Sequence, residues 1–265
     1  MPDRAILYLE ENDVDVWLAY DGELVDEALL ARLLALLDDA ERRQQARFYF
    51  AHDRKRYLVT RALVRTVLSH YAATAPANWL FATNPYGRPH IANADPLAAG
   101  LTFNVSHTHG LVVLAVGRGR ELGVDVENVA AREVSLGVAR QFFSPLEAAE
   151  LESLAPQRRQ DRFFEYWTFK ESYIKARGMG LSLPLDKFSF RFPHEGAVRL
   201  AIDAGLGDDA ERWQFWQYRP GAQHLLALCA ERRGGRPGVV TMRRTIPTLG
   251  WEPIAPVLLK SSDRL

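Results

Sequence analysis

The segment Gly123-Val-Asp-Val-Glu127 is predicted to be a short β-strand with one apolar and one acidic face. Because side chains alternate along a strand, Asp125 and Glu127 share a face, and the two valines point the other way into a core. Two carboxylates on one strand face repel each other, and a hard divalent cation such as Mg²⁺ or Mn²⁺ would offset that repulsion. The alternative is an ordinary exposed strand whose acids are solvated.

The segment Trp167-Thr-Phe-Lys-Glu-Ser-Tyr-Ile-Lys175 lies in a predicted helix over 158–177. Glu171 and Lys175 are four residues apart and therefore share a face of that helix. They form either a surface ion pair or a functional pair, in which Glu171 is a third metal ligand or a base and Lys175 stabilises phosphate charge. The many aromatic neighbours favour a largely buried helix, where a carboxylate needs a partner.

A third polar group lies in Phe103-Asn-Val-Ser-His-Thr-His-Gly110, between two predicted strands. Ser106 and His107 are predicted to lie in the loop after the first strand, where a hydroxyl and an imidazole suit phosphate binding. A zinc site is disfavoured because no third nitrogen or thiolate ligand lies nearby. A serine hydrolase is disfavoured because the motif Gly-x-Ser-x-Gly is absent. The alternative for His107 is a structural or solvated role.

Composition and charge exclude several classes of protein. The chain has 265 residues, with 33 Lys and Arg against 33 Asp and Glu, so its net charge is zero. A general nucleic-acid binder needs a basic surplus and is therefore not expected. The single cysteine, Cys229, excludes an intramolecular disulfide and a thiolate zinc site. The N-terminus does not resemble a signal peptide and no apolar stretch suits a membrane span, so we expect a cytoplasmic protein.

The order of the predicted elements indicates the fold class. Strands and helices occur in both halves of the chain without a regular βαβα alternation, which favours an α+β fold over a doubly wound sheet. The clearest helix is predicted over 53–71, and a helix rich in aromatic residues is predicted over 158–177. After residue 232 the chain is rich in glycine and proline, which predicts an irregular C-terminal tail over 233–265.

In their order and spacing, the three motifs quoted above resemble the core motifs of the 4′-phosphopantetheinyl transferases. The resemblance includes three further segments: Tyr86-Gly-Arg-Pro89, Phe142-Phe-Ser144 and Gly178-Met-Gly-Leu-Ser-Leu-Pro184. It covers roughly residues 5–230, and the length of the chain fits the larger, two-lobed Sfp-like class.

The resemblance implies a fold and an activity. The fold is a pseudo-dimer of two similar α+β lobes, each a small antiparallel sheet packed with a long helix, with coenzyme A in the cleft between them. We therefore expect an N-terminal lobe over 1–119, a C-terminal lobe over 120–232 and the irregular tail. The activity is Mg²⁺-dependent transfer of the 4′-phosphopantetheine arm of coenzyme A to a serine of an apo-carrier protein, with release of adenosine 3′,5′-bisphosphate.

The resemblance also implies roles for individual residues. The metal ligands would be Asp125, Glu127 and Glu171, and the ion Mg²⁺ or Mn²⁺. The catalytic residues would be Glu171, Lys175 and His107. Lys175 would bind the pyrophosphate and stabilise the leaving group. Glu171 would deprotonate the acceptor serine, directly or through a metal-bound water.

Coenzyme A would be held by residues from several segments: Arg42, Arg43, Arg47, Arg56, Arg88, Ser106, His107 and Lys175. Of these, Arg88 would face the adenosine end and Arg56 would contact the adenine. Family members usually carry basic residues before the position of Arg47 that hold the 3′-phosphate. Here that segment reads Glu41-Arg-Arg-Gln-Gln-Ala-Arg47, which leaves open which arginine does so.

The expected protein partner is an acyl or peptidyl carrier protein. Carrier proteins are acidic, and the candidate docking surface is the segment 128–143 with Arg132 and Arg140. A two-lobed chain need not trimerise, so we expect a monomer. Two other functions share parts of the same residue set: a Mg²⁺-dependent nucleotide phosphohydrolase, and a non-catalytic module that binds coenzyme A or a carrier. The motifs do not distinguish fatty acid, polyketide and nonribosomal peptide carriers.

Overall fold

The computed structural model describes residues 6–131, 133–233 and 238–264, and in it the chain divides into two units. Unit 1 consists of Met1–Gly119 and Gly238–Ala255, and unit 2 of Arg120–Pro237 and Pro256–Leu265. Each unit thus combines one long segment with a short C-terminal segment. Both units contain helices and sheets, so the predicted α+β class is confirmed.

The helices and strands are numbered in chain order. The helices are α1 (Glu27–Ala35), α2 (Asp39–Arg47), α3 (Ala51–Leu68), α4 (Leu136–Phe142), α5 (Pro145–Ser153) and α6 (Pro156–Arg177). The strands are β1 (Val14–Ala19), β2 (Phe81–Thr83), β3 (Pro89–Ile91), β4 (Leu101–Thr108), β5 (Leu111–Arg118), β6 (Leu122–Asn128), β7 (Phe188–Arg191), β8 (Arg199–Ile202), β9 (Trp213–Gly221), β10 (His224–Glu231), β11 (Val240–Ile246), β12 (Gly250–Ile254) and β13 (Val257–Ser261). No helix in the described part of the chain is both long and apolar enough to cross a membrane.

Unit 1 is built on a five-stranded sheet with the order β12-β11-β1-β5-β4. Strand β1 is antiparallel to β5 but parallel to β11, so this sheet is mixed, whereas the resemblance implies an antiparallel one. A parallel pair needs a long connection, and here the long segment of unit 2, Arg120–Pro237, lies between β5 and β11 in the chain. Helix α3 contributes Val59, Leu63 and Val67 to a buried cluster that contains Trp17 of β1.

Unit 2 is built on a four-stranded antiparallel sheet with the order β13-β9-β10-β6. Helix α6 packs on this sheet, and its Phe169 and Tyr173 contact Phe215 of β9. The helix begins with Pro156, whose missing N–H costs nothing in the first turn. It ends at Gly178, where φ is 62°, a left-handed conformation that favours glycine.

The prediction of an irregular tail over 233–265 is wrong for the described part of that segment. Strands β11 and β12 belong to the sheet of unit 1, and β13 belongs to the sheet of unit 2. The prolines mislead because they lie where strands tolerate them: Pro247 in the turn after β11 and Pro253 on the edge strand β12. Residues 234–237 and residue 265, to which the same prediction applies, lie outside the described residues.

Candidate active site

One face of β6 lies directly against helix α6. A Cβ atom added at Gly123 would come under 3.0 Å from the backbone of both Ser172 and Ala176. Glycine is therefore required at this position by the close approach of strand and helix. Asp125 and Glu127 follow at alternate positions on the same face of the strand, so the tight packing of Gly123 sets their distance from the helix.

The ammonium of Lys175 forms an ion pair with Asp125. Nζ of Lys175 donates a hydrogen bond of 2.7 Å to Oδ1 of Asp125, which joins the last turn of α6 to the middle of β6. The side chain of Asp125 is only 7% exposed, whereas that of Lys175 is 26% exposed. The carboxylate is thus fixed in the interior, and the ammonium remains accessible to an anion from solvent.

Glu171 lies one helical turn before Lys175. Its pKa is raised from the ordinary 4.5 to about 7, first by burial and next by the negative charge of Asp125. Glu127 adds a smaller rise, and the positive charge of Lys175 opposes it. These interactions couple three carboxylates and one ammonium across β6 and α6. A carboxyl group with a pKa near neutrality can both accept and release a proton at physiological pH.

Trp167 is a site residue that the sequence analysis does not assign. Its indole Nε1 donates a hydrogen bond of 3.1 Å to Oε1 of Glu127. Its ring stacks on Phe163, with centroids 5.8 Å apart and an angle of 13° between the rings. The helical spacing of the sequence already indicates this residue, because Trp167 lies four residues before Glu171 and therefore on the same side of the helix.

The acidic residues have the chemistry of a site for a hard cation. Carboxylate oxygens are the ligand atoms that Mg²⁺ and Mn²⁺ prefer. Burial raises the pKa of Glu171 most, and a bound cation would offset the further rise that comes from Asp125 and Glu127. Across the described residues, no three His, Cys, Asp or Glu side chains are gathered closely enough to hold a metal ion. The ligand set of Asp125, Glu127 and Glu171 therefore stays a prediction.

The position of α6 is fixed by a second, fully buried ion pair. Nζ of Lys170 lies 2.8 Å from Oε2 of Glu147 on α5, and both side chains are almost completely buried. The same Nζ donates hydrogen bonds to the backbone oxygens of Leu185 and Phe188. Burial lowers the pKa of Lys170, and the charge of Glu147 opposes that change. Lys170 is thus saturated with acceptors and serves the packing of the helix.

In unit 1 the structure corrects the predicted position of Ser106 and His107. Strand β4 continues to Thr108, so both residues lie within the strand and not in a loop. A two-residue turn ending in Gly110, where φ is 89°, leads directly into β5. Neighbouring residues of a strand point to opposite faces, so the buried Ser106 and the exposed His107 do not face the same side of the sheet.

Three predicted ligands of coenzyme A lie at exposed positions of α2: Arg42, Arg43 and Arg47. The helix itself is anchored by Glu41, which is 6% exposed and forms ion pairs with Arg61 and Arg65 of α3. Asp38 caps the helix and also contacts Arg65. The acidic end of α2 is therefore fixed in the unit while its three arginines face solvent.

Arg56 and Arg88 lie on two further elements of unit 1. Arg56 is on α3, is 19% exposed in its side chain and contacts Asp53 at 3.5 Å. Arg88 is in the turn between β2 and β3, where Oδ1 of Asn84 accepts hydrogen bonds from the backbone N–H groups of Tyr86 and Arg88. The predicted coenzyme A ligands of unit 1 thus come from α2, α3, the β2–β3 turn and β4.

The predicted docking segment 128–143 runs from the end of β6 through α4. Arg140 is exposed and pairs with Glu152 of α5 at 2.6 Å. Phe142 is 40% exposed, whereas the next residue, Phe143, is buried. Arg132 lies outside the described residues. The described part of the segment therefore carries both charge and apolar surface that face solvent.

Two family models match consecutive parts of the chain. The model for "4'-phosphopantetheinyl transferase, N-terminal" matches residues 26–118. The model for "4'-phosphopantetheinyl transferase superfamily" matches residues 121–229, which include β6 and α6.

Relatives of known name match over most of their length. A Bacillus subtilis protein named 4'-phosphopantetheinyl transferase is 34% identical over 213 residues, which are 79% of this chain and 90% of the relative. The 4'-phosphopantetheinyl transferase Sfp of Bacillus subtilis strain 168 is 32% identical over 75% of this chain and 84% of its own. The 4'-phosphopantetheinyl transferase HetI of Nostoc sp. is 36% identical over 69% of this chain and 76% of its own. From the two models and these relatives, the chain belongs to the 4′-phosphopantetheinyl transferase superfamily.

Proposed function

We propose that this protein transfers the 4′-phosphopantetheine arm of coenzyme A to a serine of an apo-carrier protein and releases adenosine 3′,5′-bisphosphate. The observation that carries the proposal is the coupling of Asp125, Glu127, Glu171 and Lys175 across β6 and α6, in a chain that belongs to this superfamily. We also propose that the two units are the related lobes of a pseudo-dimer, because each combines a sheet with one long helix, α3 or α6.

The reaction transfers the phosphopantetheine group from an oxygen of adenosine bisphosphate to the hydroxyl oxygen of the carrier serine. The hydroxyl oxygen of the carrier serine attacks the phosphorus that carries the pantetheine arm, and the bond from that phosphorus to adenosine bisphosphate breaks. Catalysis of such a transfer depends mainly on positioning and on neutralising charge. Lys175 fits the second task, because its ammonium is fixed by Asp125 and remains partly exposed.

Glu171 is the proposed proton acceptor. Its pKa of about 7 gives a carboxylate that is ionised in a useful fraction at neutral pH and basic enough to take the serine proton. The proton would move to a carboxyl oxygen of Glu171 as the serine oxygen bonds to phosphorus. No nucleophile within this chain is needed, because the acceptor protein supplies the hydroxyl group.

Asp125, Glu127 and Glu171 are also the residues that would hold Mg²⁺ or Mn²⁺. A divalent cation bound there would neutralise charge on the pyrophosphate of coenzyme A. Trp167 supports this arrangement, since its hydrogen bond orients the carboxylate of Glu127.

The negative charges of coenzyme A call for further cations. We propose that the arginines of α2, together with Arg56, Arg88 and either Ser106 or His107, contact its phosphates and adenosine. Arginine is suited to this task because its planar group binds two phosphate oxygens at once. Ser106 and His107 lie on opposite faces of β4, so we expect only one of them to contact the ligand directly.

The carrier protein is proposed to dock on the segment 128–143. Arg140 and Phe142 are exposed there, and an acidic partner would complement the charge of Arg140. We further propose that the enzyme acts as a monomer.

The test is direct. The protein is incubated with apo-acyl and apo-peptidyl carrier proteins, coenzyme A and Mg²⁺, and the carrier is weighed by mass spectrometry. The proposal expects the mass of the phosphopantetheine arm to be added at one serine, and expects this gain to disappear in Glu171→Gln but not in Glu195→Gln, which changes an exposed acid of the same unit.

Two outcomes would replace the proposal. Release of adenosine bisphosphate or phosphate without any carrier would indicate a phosphohydrolase. Tight binding of coenzyme A or a carrier, with no gain of mass on any carrier type, would indicate a non-catalytic binding module.

A further inference from the structure

Unit 2 contains a cavity that none of the roles above uses. Its volume is about 570 Å³, and it lies between α5, the middle of α6 and the β7–β8 hairpin. The residues proposed for the metal and for coenzyme A are not among those that line it. We propose that this cavity binds a small molecule that carries a phosphate or carboxylate group on an apolar body.

Two arginines supply the anion-binding part of the proposal. Arg191 of β7 and Arg199 of β8 are paired directly opposite each other in the hairpin, and both line the cavity. Side chains of directly opposed residues lie on the same face, where two like charges destabilise the pair. Both side chains are exposed, and neither guanidinium takes part in an ion pair or side-chain hydrogen bond with any described residue. An anion bound between them would neutralise both charges.

The acidic residues of the cavity do not serve as that anion. Glu147 is held by Lys170 at 2.8 Å and also accepts a hydrogen bond from the backbone N–H of Phe190. Glu150 is held by Arg162 and by the hydroxyl of Tyr166. Arg162 also pairs with Glu165, which pairs in turn with Lys260, so the acids and bases of this network balance in number. The charge left over in the cavity is therefore that of the two arginines.

The remaining wall of the cavity is apolar. Leu146 is 58% exposed, and Phe192 stacks on Tyr166 with centroids 4.9 Å apart. Cavities of several hundred Å³ with an apolar wall and a few placed polar groups are typical of small-molecule sites. An aromatic or aliphatic body would cover this wall while its anionic group reaches Arg191 and Arg199.

The experiment compares three probes by isothermal titration calorimetry with the full chain. The first probe, 1-naphthyl phosphate, carries both the anionic group and the apolar body. Inorganic phosphate carries the anionic group alone, and 1-naphthol carries the apolar body alone. The proposal expects 1-naphthyl phosphate to bind at least about tenfold more tightly than either partial probe. Equal binding of 1-naphthol would overturn the role of the arginines.

Substitutions then locate the site. Arg191→Gln and Arg199→Gln are each expected to weaken binding of 1-naphthyl phosphate about tenfold, and the double substitution to abolish it. Arg158→Gln, which removes an exposed arginine of α6 outside the cavity, is the matched control and should bind as the wild type does. Both hairpin variants should remain folded, because they relieve a repulsive pair, and thermal unfolding verifies this.

Transferase activity distinguishes a failure of the cavity proposal from a failure of the proposed function, on which the cavity site does not depend. The Arg191 and Arg199 variants should retain full transfer of phosphopantetheine, because neither residue belongs to the proposed active site. Unchanged binding in the double variant, loss of binding in Asp125→Asn, or no saturation at millimolar 1-naphthyl phosphate would each overturn the proposed cavity site.

Discussion

Nζ of Lys175 on α6 lies 2.7 Å from Oδ1 of Asp125 on β6. This ion pair joins the helix and the strand beside Glu171. Burial raises the pKa of Glu171 most, Asp125 raises it further, and Lys175 lowers it. The protonation of Glu171 thus depends on its burial and on the charges of both residues of the pair.

Replacing Lys175 with Gln removes the charge that favours the ionised form of Glu171. We expect transferase activity at pH 7 to fall by roughly 10²-fold or more, because a cation placed at developing charge contributes about that much. We also expect the acid limb of the pH–rate profile to move to higher pH, since Glu171 would then need a higher pH to ionise. Profiles of kcat/KM for wild type, Lys175→Gln and Lys175→Arg measure this. An acid limb that stays in place in Lys175→Gln would contradict the coupling.

The raised pKa of Glu171 predicts how stability depends on pH. The folded protein holds this proton up to about pH 7, whereas the unfolded chain releases it near pH 4.5. The stabilisation is therefore complete below pH 4.5 and is lost as the pH rises through 7, by at most about 3 kcal/mol at roughly 1.4 kcal/mol per pKa unit. Glu171→Gln has no carboxyl group at this position and should not lose this stabilisation. The melting temperature of the variant, relative to that of wild type, should therefore rise between pH 5 and pH 8.

The melting temperatures of wild type and Glu171→Gln are measured by thermal unfolding from pH 5 to pH 8, with a chelator present to remove divalent cations. Added Mg²⁺ should raise the melting temperature of wild type above pH 7 and leave that of Glu171→Gln nearly unchanged. A constant difference between the two proteins from pH 5 to 8 would refute the assigned pKa.

Gly123→Ala is expected to destabilise the protein, because its Cβ would collide with the backbone of α6 at Ser172 and Ala176. Backbone cannot move aside as a flexible side chain can, so we expect a loss of roughly 2–4 kcal/mol in the free energy of unfolding. Urea denaturation measures it. Gly22→Ala is the control, since nothing lies within 4 Å of a Cβ there, and a similar loss in both would rule out the steric explanation.

Arg243 and Arg244 are neighbours on β11, and replacing each with Ala should lower the free energy of unfolding by very different amounts. Arg243 forms an ion pair of 2.7 Å with the buried Asp15, so its loss leaves a buried carboxylate without that cation and should cost about 3–5 kcal/mol. Arg244 is 43% exposed and pairs with Glu23, so its loss should cost about 1 kcal/mol or less. Urea denaturation of both variants decides whether the C-terminal segment is part of the folded core. Equal, small losses would show that it is not.

Arg140→Glu should weaken binding of the carrier protein and should leave the rate of the transfer step unchanged. We expect KM for the carrier to rise about tenfold with little change in kcat, because the substitution reverses a surface charge that faces an acidic partner. Glu152→Gln breaks the same ion pair but leaves Arg140 in place, and it should keep the wild-type KM. Steady-state kinetics with one carrier compares the two. A fall in kcat at constant KM would argue against a docking role.

The local pattern was sufficient for the acidic strand and the aromatic helix. Alternation correctly predicts that Asp125 and Glu127 share a face, and helical spacing correctly predicts that Glu171 and Lys175 lie together on α6. Both inferences use only regular backbone geometry, which depends on sequence separation and not on distant residues. The same spacing places Trp167 on the side of α6 that carries Glu171, whereas its hydrogen bond to Glu127 is a tertiary contact.

Local pattern was insufficient where pairing with another strand, and not side-chain polarity, decides the structure. The segment Ser-His-Thr-His-Gly is polar and typical of a loop, yet pairing with β5 across a two-residue turn extends β4 to Thr108. The proline- and glycine-rich C-terminus forms strands because β1 and β9 offer edges to pair with. For β11 and β13 the hydrogen bonds come from strands far away in the sequence.

The order of residues alone was enough to predict the α+β class and the family resemblance, and to select the acidic and basic residues proposed for the site, because these follow from side-chain chemistry and from the short repeats of helix and strand. Tertiary structure decided that β11 lies parallel to β1, that Gly123 must be glycine and that the pKa of Glu171 rises to about 7. Those properties depend on which distant groups exclude water and approach within a few ångströms, and only the folded chain creates such proximity.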